Sequence, residues 1–486
     1  MLLKRFYDEK LAQASYLVGC AATGEALVVD PNRNVVQYLR AAEAEGLRIT
    51  HVTETHIHAD FVSGSRELAA HTGARLYLSN EGGSHWEYAF GREPGVVLLS
   101  DGDEFMVGNV RIRALHTPGH TPEHMCFMVT DTAATKVPIG VFTGDFIFAG
   151  DVGRPDLLER AAKILGTMEA GARTLYHSLQ AFKTFPNHIQ LWPGHGAGSA
   201  CGKALGAMPS TTLGYEKIVN WGLAEMSENQ FVEAVLSGQP EPPAYFAEMK
   251  WINKKGPRLL HGGVAPEALA EGRLAHLVVQ GAVIVDTRSA PEFAAGYVPG
   301  TINIPLNKSF TNWAGWLLPY DRPLYLIVDD GDATRIAEAV RDLASIGLDR
   351  VEGYFGTSAI DVWAAEGRAL DTITQVKATP THVARLGRAA AFVDVRSASE
   401  FEIGHLPGAV NIPLGELTNR IDELPLGRPL VLNCQSGARS SIAASLLRAR
   451  GVDEIVNLAG GYAAWASHGA RVEYEQPLAG AVPWPS

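Results

Sequence analysis

The sequence predicts an α/β protein built from several domains, and three observations lead to this class. The chain has 486 residues, a length that suggests roughly two to four domains. A segment of 22 residues that begins at Val285 recurs from Val393 with 14 identical positions, and this domain-sized spacing differs from the short periods of solenoid repeats. In each copy, strand-like apolar runs alternate with helix-like stretches, which is typical of α/β units around a mainly parallel sheet.

The first 250 residues follow a different pattern, with short strands and few long helices. This pattern favours a layered α/β structure with much antiparallel sheet. Helices are expected between Pro155 and Phe185. The expected strands are the apolar runs at 25–30, 47–55, 74–79, 110–115, 125–129, 139–145 and 189–192.

Two polar segments predict the domain boundaries. The first is the run Asn253-Lys-Lys-Gly-Pro, whose last two residues disfavour regular structure. The second lies between Ala369 and Ala378, just before the second copy of the repeat. The predicted domains are 1–253, 256–368 and 376–486.

Composition and charge exclude several classes of protein. The net charge of −12 argues against a general nucleic-acid binder, because such proteins depend on clustered cations. The first ten residues resemble no signal peptide, and no run of about 18 apolar residues predicts a membrane span. The four cysteines lie far apart and form no CxxC pair, so we expect reduced thiols and a cytoplasmic location.

Histidines and carboxylates recur in four loops that follow predicted strands. Imidazole and carboxylate groups together suit zinc, iron or manganese. Chance rarely gives one HxHxD pattern followed by GH, GD and GHG at three later strand ends, so the pattern predicts a metal site. Within the second loop, His116 and His124 are expected to support the loop rather than bind metal. The four motifs are THIHADF (55–61), HTPGHTPEH (116–124), FTGD (142–145) and WPGHG (192–196).

These motifs, in this order, resemble the metallo-β-lactamase fold over about residues 1–250. The resemblance implies an αββα sandwich with metal at its loop edge. Hydrolytic members of that family, such as glyoxalase II, usually bind two metals through HxHxDH. Here Phe61 replaces the last histidine, and a phenyl ring has no lone pair with which to bind a second ion.

The sequence is instead similar to the persulfide dioxygenase branch of that family, whose members hold one iron. That resemblance implies a mononuclear non-heme Fe(II) bound by His56, His120 and Asp145. Two histidines and one carboxylate with open positions form the facial triad of non-heme Fe(II) oxygenases. Three further side chains would remain from a second site, orienting ligands and moving protons: His58, Asp60 and His195.

Two residues near these motifs each have two interpretations that the sequence leaves open. Arg154 either binds a carboxylate or phosphate of the substrate, or it fixes its loop together with Asp156 at the start of a helix. Cys201 either faces the metal and takes a substrate or redox role, or it is a small apolar core residue.

A cysteine loop follows a predicted strand in the second copy of the repeat. Cys434 lies at a strand-to-helix turn, where backbone N–H groups, the helix N-terminus and Arg439 favour the thiolate. Such N–H groups also suit a bound persulfide anion. The residues expected to surround the sulfur are Gln435, Ser436, Gly437, Ala438 and Ser440.

This loop and its surroundings resemble the rhodanese family of sulfurtransferases over about residues 376–475. Cys434 matches the sulfur-carrying cysteine of that family. The spacing from Cys434 to Arg439 is C-x4-R, shorter than the C-x5-R loop that phosphatases use for phosphate. The flanking segments DVRSASEF and GHLPGAVNIPL also favour rhodanese.

The first copy of the repeat lacks this chemistry. Val328 takes the place of the cysteine and Ala333 that of Arg439, while Asp329 and Asp330 would oppose an anionic sulfur. We therefore expect this middle domain to carry no sulfur and to serve packing, spacing or assembly.

The order of the three segments resembles bacterial persulfide dioxygenase–sulfurtransferase fusions of sulfide oxidation. The resemblance implies oxidation of a small thiol persulfide, such as that of glutathione or coenzyme A, by O₂ to sulfite and thiol. Cys434 would then pass sulfane sulfur between persulfide, sulfite and thiosulfate, in either direction. A homo-oligomer is compatible with the sequence, which does not identify the carrier thiol. Two rivals are a dizinc glyoxalase II-type thioesterase with a second ligand replacing Phe61, and a non-enzymatic sulfur-relay scaffold.

Overall fold

The structure, a computed structural model, describes residues 1–160, 166–203, 205–329, 332–386 and 389–475. Predictions that concern Asp330 or the terminal segment 476–486 lie outside these residues. The chain divides into two compact units, each described by itself below. Unit 1 comprises Met1–Val264 with Arg341–Asp349, and unit 2 comprises Ala265–Val340 with Arg350–Ser486.

Unit 1 consists of two six-stranded sheets and the helices that cover them. The strands are β1 (Leu2–Asp8), β2 (Gln13–Cys20), β3 (Glu25–Val29), β4 (Arg48–Thr53), β5 (Arg75–Ser79), β6 (Val96–Leu99), β7 (Glu104–Val107), β8 (Val110–His116), β9 (Met125–Asp131), β10 (Gly140–Gly144), β11 (Gln190–Pro193) and β12 (Thr211–Thr212). The helices are α1 (Val36–Ala44), α2 (Ser65–Thr72), α3 (Leu157–Arg160), α4 (Thr167–Phe182), α5 (Leu213–Val219), α6 (Glu228–Leu236) and α7 (Phe246–Lys255), with a 3₁₀ turn at Trp221–Leu223.

The first sheet has the order β1-β2-β3-β4-β5-β6, antiparallel at its first two pairings and parallel at the other three. The second has the order β12-β11-β10-β9-β8-β7, in which only β10 and β11 are parallel. The sequence thus predicted the mixed, largely antiparallel layers correctly.

Alternation along the strands explains how the layers stack, because successive side chains point to opposite faces of a sheet. Tyr16 and Val18 of β2 face Phe127 of β9 in the core between the sheets. Leu17 of β2 points the other way, into a core that includes Tyr38 of α1. On the outer face of the second sheet, strand side chains likewise pack against α4 and α6. Helices therefore cover both outer faces, and the predicted αββα sandwich is confirmed.

Unit 2 contains two five-stranded sheets. The strands are β13 (Glu267–Ala268), β14 (Val283–Asp286), β15 (Ile302–Asn303), β16 (Leu324–Val328), β17 (Val351–Gly356), β18 (Thr374–Lys377), β19 (Ala391–Asp394), β20 (Val410–Asn411), β21 (Leu430–Asn433) and β22 (Ile455–Ala459). The helices are α8 (Arg273–Val279), α9 (Ala290–Ala295), α10 (Phe310–Leu317), α11 (Ala333–Ser345), α12 (Ser358–Ala365), α13 (Pro380–Leu386), α14 (Ala398–Glu402), α15 (Ala438–Arg448) and α16 (Gly461–Ser467), with 3₁₀ turns at Leu414–Glu416 and Ile421–Glu423. The residues of α11 from Arg341 onward belong to unit 1. Across the described ranges of the chain, no helix is both long and apolar enough to cross a bilayer.

The two sheets of unit 2 repeat one topology, β13-β17-β16-β14-β15 and β18-β22-β21-β19-β20, with every pairing parallel. The predicted parallel α/β repeat is confirmed. The register also aligns the two copies: Asp286 pairs with Ile327, as Asp394 pairs with Asn433. Val328 therefore occupies the position of Cys434.

The boundary that the sequence suggested after residue 253 falls inside α7. Asn253 is almost fully buried, and its side-chain amide donates to the carbonyl oxygens of His58 (2.8 Å) and Phe61 (2.7 Å). Helix α7 therefore supports the loop that follows β4, and unit 1 continues to Val264. A polar sequence at the end of a helix looks like a linker when its buried partners are unknown.

Candidate metal centre and sulfur-transfer loop

The side chains predicted to bind iron converge in unit 1. Each follows a strand or joins two of them: His56 after β4, His120 between β8 and β9, and Asp145 after β10. Their potential ligand atoms all lie within 4.8 Å of one another, and all three side chains are buried. Both carboxylate oxygens of Asp145 lack a hydrogen-bond donor among the described residues. A buried carboxylate without a donor is costly, so these residues fit a bound cation.

Hydrogen bonds fix the orientation of this group. The Nδ1 atom of His120 lies 2.9 Å from the carbonyl oxygen of Arg154, and Nδ1 of His56 lies 3.0 Å from Oγ1 of Thr55. Both contacts leave Nε2 available for a metal, and Nε2 of His120 lies 3.5 Å from Oδ2 of Asp145. Contacts of this kind orient the ligands of metal sites in proteins.

A glycine allows the loop of Arg154 to approach the metal group. A Cβ atom on Gly153 would overlap the carbonyl oxygen of Asp145, so only glycine fits without a backbone shift. On the other side of Asp145, His124 accepts the Asp145 N–H at Nε2 (3.2 Å). His124 therefore has the loop-supporting position that the sequence suggested for it.

A second group of metal-competent atoms lies beside the first. Potential ligand atoms of Asp60, His195 and Cys201 also lie within 4.8 Å of one another, and the three residues are buried. The Nε2 atom of His195 lies 3.2 Å from Oδ2 of Asp60 and 3.4 Å from Oδ1 of Asp145. The two oxygens of Asp145 thus face different groups, with Oδ2 toward His120 and Oδ1 toward His195.

Phe61 belongs to neither group. Its ring is fully buried and packs against His58 at a centroid distance of 4.4 Å. Cys201 instead joins Asp60 and His195, although it lies outside the HxHxD motif. From the sequence, Asp60 and His195 were expected to lie together, and the role of Cys201 was left open.

The electrostatics of the second group depend on the balance of burial and charge. Burial disfavours a charged imidazole, but Asp145 and Asp60 hold the pKa of His195 well above its ordinary value. The Nδ1 atom of His195 contacts the carbonyl oxygen of Ala12 (2.9 Å), so both ring nitrogens face oxygen atoms. Burial raises the pKa of Cys201 to about 12, which keeps this thiol protonated in the absence of a cation.

His58 occupies a separate position. Its Nε2 atom lies 3.0 Å from Oδ1 of Asp30, and the same carboxylate accepts the N–H and hydroxyl of Thr55. Burial opposes the charged imidazole, yet Asp30 and neighbouring carboxylates raise the pKa of His58 to about 9. This pair fixes the loop that carries His56, and the predicted orienting role of His58 fits its position.

The guanidinium of Arg154 is fully buried. It donates to both carboxylate oxygens of Asp156 (2.8 and 2.7 Å) and to the carbonyl oxygens of Ala200 (2.9 Å) and Pro240 (2.8 Å). Each of the three guanidinium nitrogens donates to at least one of these partners, so the contacts favour the loop-fixing interpretation over substrate binding.

We therefore expect Arg154→Ala to destabilise unit 1 on the order of 3 kcal/mol. The change leaves Asp156 with only the partly exposed Arg160 as a partner (3.1 Å), and it removes the donor of the Ala200 and Pro240 carbonyl oxygens. Metal content should fall as well, since the carbonyl oxygen of Arg154 orients His120. Denaturant unfolding and metal analysis measure both effects. Arg173→Ala is the matched control, because this exposed arginine pairs with Glu169 and Glu228 at the surface. A higher KM with unchanged stability would instead support substrate binding by Arg154.

The predicted sulfur-carrying loop lies between β21 and α15. Cys434 is 1% exposed, and its Sγ atom accepts hydrogen bonds from the Gly437 N–H (3.1 Å) and the Ser440 hydroxyl (3.5 Å). The carbonyl oxygen of Cys434 accepts the Tyr462 N–H at the start of α16 (2.8 Å). Gly461 makes this approach possible, because a Cβ atom there would overlap that oxygen.

Arg439 forms a bidentate ion pair at the edge of the loop. Its two terminal nitrogens donate to the two oxygens of Glu400, each at 2.7 Å. Burial opposes ionisation, but the Arg439 guanidinium lowers the pKa of Glu400 to about 2. The sequence predicted Arg439 as a positive charge for the sulfur and missed its partner. The sequence signal for Glu400 was its position in the segment repeated in both copies, which precedes β21 and Cys434.

The equivalent loop of the middle copy has different chemistry. Asp329 pairs with Arg335 of α11 (3.0 Å), so the guanidinium partly compensates the charge of this acid. Ala333 offers no cation at the position of Arg439. Val328, Asp332 and Ala333 line a cavity of about 260 Å³.

We expect Val328→Cys to leave the middle domain without useful sulfurtransferase activity. The new thiol would lack a counterpart of Arg439 and would lie near Asp329 and Asp332, and like charges raise the pKa of a thiol. Alkylation of the introduced cysteine near neutral pH, measured by mass spectrometry, should be slow compared with that of Cys434 in the same molecules. Fast alkylation with sulfur transfer in a Cys434→Ser background would contradict this expectation.

Comparisons with known proteins agree with this division of the chain. Residues 9–195 match the Metallo-beta-lactamase superfamily, and 270–356 and 379–468 each match the Rhodanese-like domain. A crystal structure of a metallo-beta-lactamase from Staphylococcus aureus subsp. aureus COL is 44% identical, covering 73% of this chain and 99% of that one at a TM-score of 0.65.

Two of the curated relatives that the chain matches are a hydrolase and a persulfide dioxygenase. The hydroxyacylglutathione hydrolase of Rhodospirillum rubrum is 31% identical over 181 residues, which are 37% of this chain and 60% of that protein. The mitochondrial persulfide dioxygenase of Bos taurus is 27% identical over 198 residues, 40% of this chain and 72% of that protein. The chain thus spans about 60% of the length of the first hydrolases it matches.

The sandwich and its buried histidine–carboxylate group define a metal-binding protein of the metallo-β-lactamase fold. The chain belongs to the metallo-beta-lactamase superfamily and carries two rhodanese-like domains after that domain. This confirms the predicted order of families, which fits a persulfide dioxygenase–rhodanese fusion.

Proposed function

We propose that the protein oxidises a small thiol persulfide with O₂ at one iron bound by His56, His120 and Asp145. In this reaction RSSH, O₂ and H₂O give RSH, sulfite and two protons. The observation that carries the proposal is the buried two-histidine, one-carboxylate group whose carboxylate has no donor among the described residues. Unit 1, which extends beyond the predicted residue 253 to Val264, would carry the dioxygenase site, and the predicted segment 376–486 would carry the sulfur-transfer site.

The bound iron would supply the redox chemistry with O₂. The chain's own residues hold the ligands: the Arg154 carbonyl oxygen orients His120, and Thr55 orients His56. Burial of the group limits access of bulk water. Both ring nitrogens of His195 face oxygen atoms, so its imidazolium would hold a proton at Nε2 for the thiolate that leaves as RSH.

We further propose that Cys434 transfers sulfane sulfur. Its thiolate would attack the terminal sulfur of RSSH, forming an S–S bond to Cys434 and releasing RS⁻. Sulfite would then take that sulfur, giving thiosulfate and restoring the thiolate. The donors from Gly437 and Ser440 at Sγ support this role, because such donors stabilise an anionic sulfur. In the middle domain, Val328 leaves no group that could carry sulfur.

A second candidate function deserves a direct test because of the group formed by Asp60, His195 and Cys201. With Asp145 facing both groups, two ions would find ligands here, as a dizinc thioesterase requires. The 31% identity with a hydroxyacylglutathione hydrolase supports the same alternative.

The experiment that separates the two candidates is metal analysis after anaerobic purification, followed by two assays. The proposal predicts one iron per chain, O₂ uptake with glutathione or coenzyme A persulfide, and little hydrolysis of glutathione thioesters. Two zinc ions per chain with thioester hydrolysis, and no O₂ uptake with any persulfide, would select the thioesterase.

A further inference from the structure

Helix α15, which begins at the sulfur loop, is covered on more than one side. All eight residues from Ser440 to Leu447 are buried. A helix that rests on one sheet buries a stripe of its surface and leaves a polar face in water. Continuous burial over two turns therefore requires a second covering element.

That second element is the middle domain, which belongs to the same compact unit. One side of α15 packs on β21 and β22 of its own sheet, and another packs on β15 and α9 of the middle copy. Strand β15 is the edge strand of its sheet, so its outer backbone groups need partners. Near this contact, Trp316 of α10 closely approaches Gly415, where a side chain would overlap the indole ring.

Two polar contacts join α15 to the middle copy. The hydroxyl of Ser445 accepts the N–H of Asn303 in β15 (3.0 Å) and donates to the Ile442 carbonyl oxygen (2.8 Å). At the end of the helix, Arg448 donates to the hydroxyl of Tyr297 (3.3 Å) and to Asp371 (2.9 Å). Ser445 and Asn303 are fully buried, and Tyr297 nearly so.

A comparison of the two copies shows that these contacts are specific to α15. Between Arg439 and Arg448 the helix carries no charged side chain, whereas the equivalent α11 includes Arg335, Glu338 and Arg341. The position of Tyr297 holds His405 in the second copy. Both rings stack on the equivalent phenylalanine, but Tyr297 also reaches Arg448 through its hydroxyl.

The N-terminal end of α15 contributes directly to the sulfur loop. The Ser440 hydroxyl and the Gly437 N–H donate to Sγ of Cys434, and Arg439 pairs with Glu400. A shift or tilt of the helix would move these donors relative to the sulfur. The placement of α15 is thus linked to the chemistry of Cys434.

We propose that the middle rhodanese-like domain, which lacks a sulfur-carrying cysteine, holds α15 in position and thereby sets the geometry of the Cys434 loop. The positioning residues are Tyr297 of the middle domain and its contact partners on α15, Ser445 and Arg448. The proposal rests on sulfur transfer at Cys434 for its biological meaning, but the ionisation of this thiol can be measured whether or not transfer occurs.

The test uses the full chain and measures iodoacetamide alkylation of the Cys434 peptide by mass spectrometry as a function of pH. Ser445→Ala removes the acceptor of the Asn303 N–H, and Tyr297→Phe removes one hydroxyl in the middle domain. Neither changes the charged groups around the loop, which are Asp394, Arg396, Glu400 and Arg439. Weaker hydrogen-bond donation to Sγ of Cys434 disfavours the thiolate, so the midpoint of the alkylation profile should rise to higher pH. The alkylation rate near neutral pH should fall about three- to tenfold, which is the effect of one hydrogen bond.

The matched control is Ser467→Ala. The Ser467 hydroxyl makes the same bond to the carbonyl oxygen three residues earlier (2.8 Å), but it lies exposed on α16, so its profile should equal that of the wild type. If Ser445→Ala fails to fold, Tyr297→Phe still decides the question. If the midpoints of the Cys434 alkylation profiles stay unchanged or fall in the folded variants, the middle domain does not position α15 and the proposal is wrong. Absence of sulfur transfer in the wild type would instead overturn the proposed function and leave the alkylation result valid.

Discussion

Replacing His56, His120 or Asp145 by alanine is expected to abolish tight iron binding and O₂ uptake with persulfides. Each change removes one of three protein ligands, and no polar side chain of similar reach replaces it. Even the loss of an outer partner of a metal ligand typically weakens binding by 10–100-fold, so we expect a loss above roughly 100-fold. Iron per chain after anaerobic purification measures the effect directly.

His188→Ala is the control for this series. His188 is exposed, and its Nε2 atom contacts the carbonyl oxygen of Pro138 (3.1 Å). This variant should keep its iron and its O₂ uptake. Retention of both in the three ligand variants would show that the metal binds elsewhere, and the assignment of the site would be wrong.

Cys434→Ser is expected to separate the two proposed activities. The proposed iron ligands belong to unit 1 and Cys434 to unit 2, so persulfide-dependent O₂ uptake should stay close to the wild-type rate. Serine has no thiolate and cannot carry sulfane sulfur. Enzymatic transfer to sulfite should therefore fall to background, and sulfite should accumulate where the intact protein yields thiosulfate.

Sulfite and thiosulfate should be quantified together during turnover in both proteins. Sulfite and persulfide also react slowly without enzyme, so early time points and an enzyme-free sample are required. Unchanged enzymatic formation of thiosulfate in the variant would assign the sulfur to another group, such as Cys201. Loss of O₂ uptake together with sulfur transfer would show that the two sites are not independent.

The fold was predictable where local patterns were strong. All seven expected strands of the N-terminal domain are present, as β3, β4, β5, β8, β9, β10 and β11. The strands β1, β2, β6 and β7 and the two-residue β12 were not predicted. Every residue of β2 is buried, so it lacks the alternation of a half-exposed strand, and β1 carries Lys4 and Arg5 at the edge of its sheet.

The candidate metal residues were predictable because each follows a strand within a short motif. Their supporting partners were not, since those contacts join distant segments. Asp30 contacts His58 across 28 positions of the sequence, and Arg154 donates to the carbonyl oxygens of the distant Ala200 and Pro240. Neither contact leaves a local pattern, so the sequence left two interpretations of Arg154 open.

The repeat gave the most detailed information about the second unit. Aligning the copies placed Val328 opposite Cys434, and the sheet register has the same alignment. The alignment did not indicate that the middle copy covers α15, although the uncharged helix between Arg439 and Arg448 was visible in the sequence. A helix without a polar face predicts a second covering surface, but it does not identify that surface.

The most direct test of the proposed dioxygenase is the ratio of O₂ consumed to persulfide consumed in Cys434→Ser protein that contains one iron per chain. We expect one O₂ consumed and one sulfite formed for each persulfide, because two oxygen atoms reach the sulfane sulfur and water supplies the third. Consumption of persulfide without O₂, or no consumption at all alongside hydrolysis of thioesters, would contradict it.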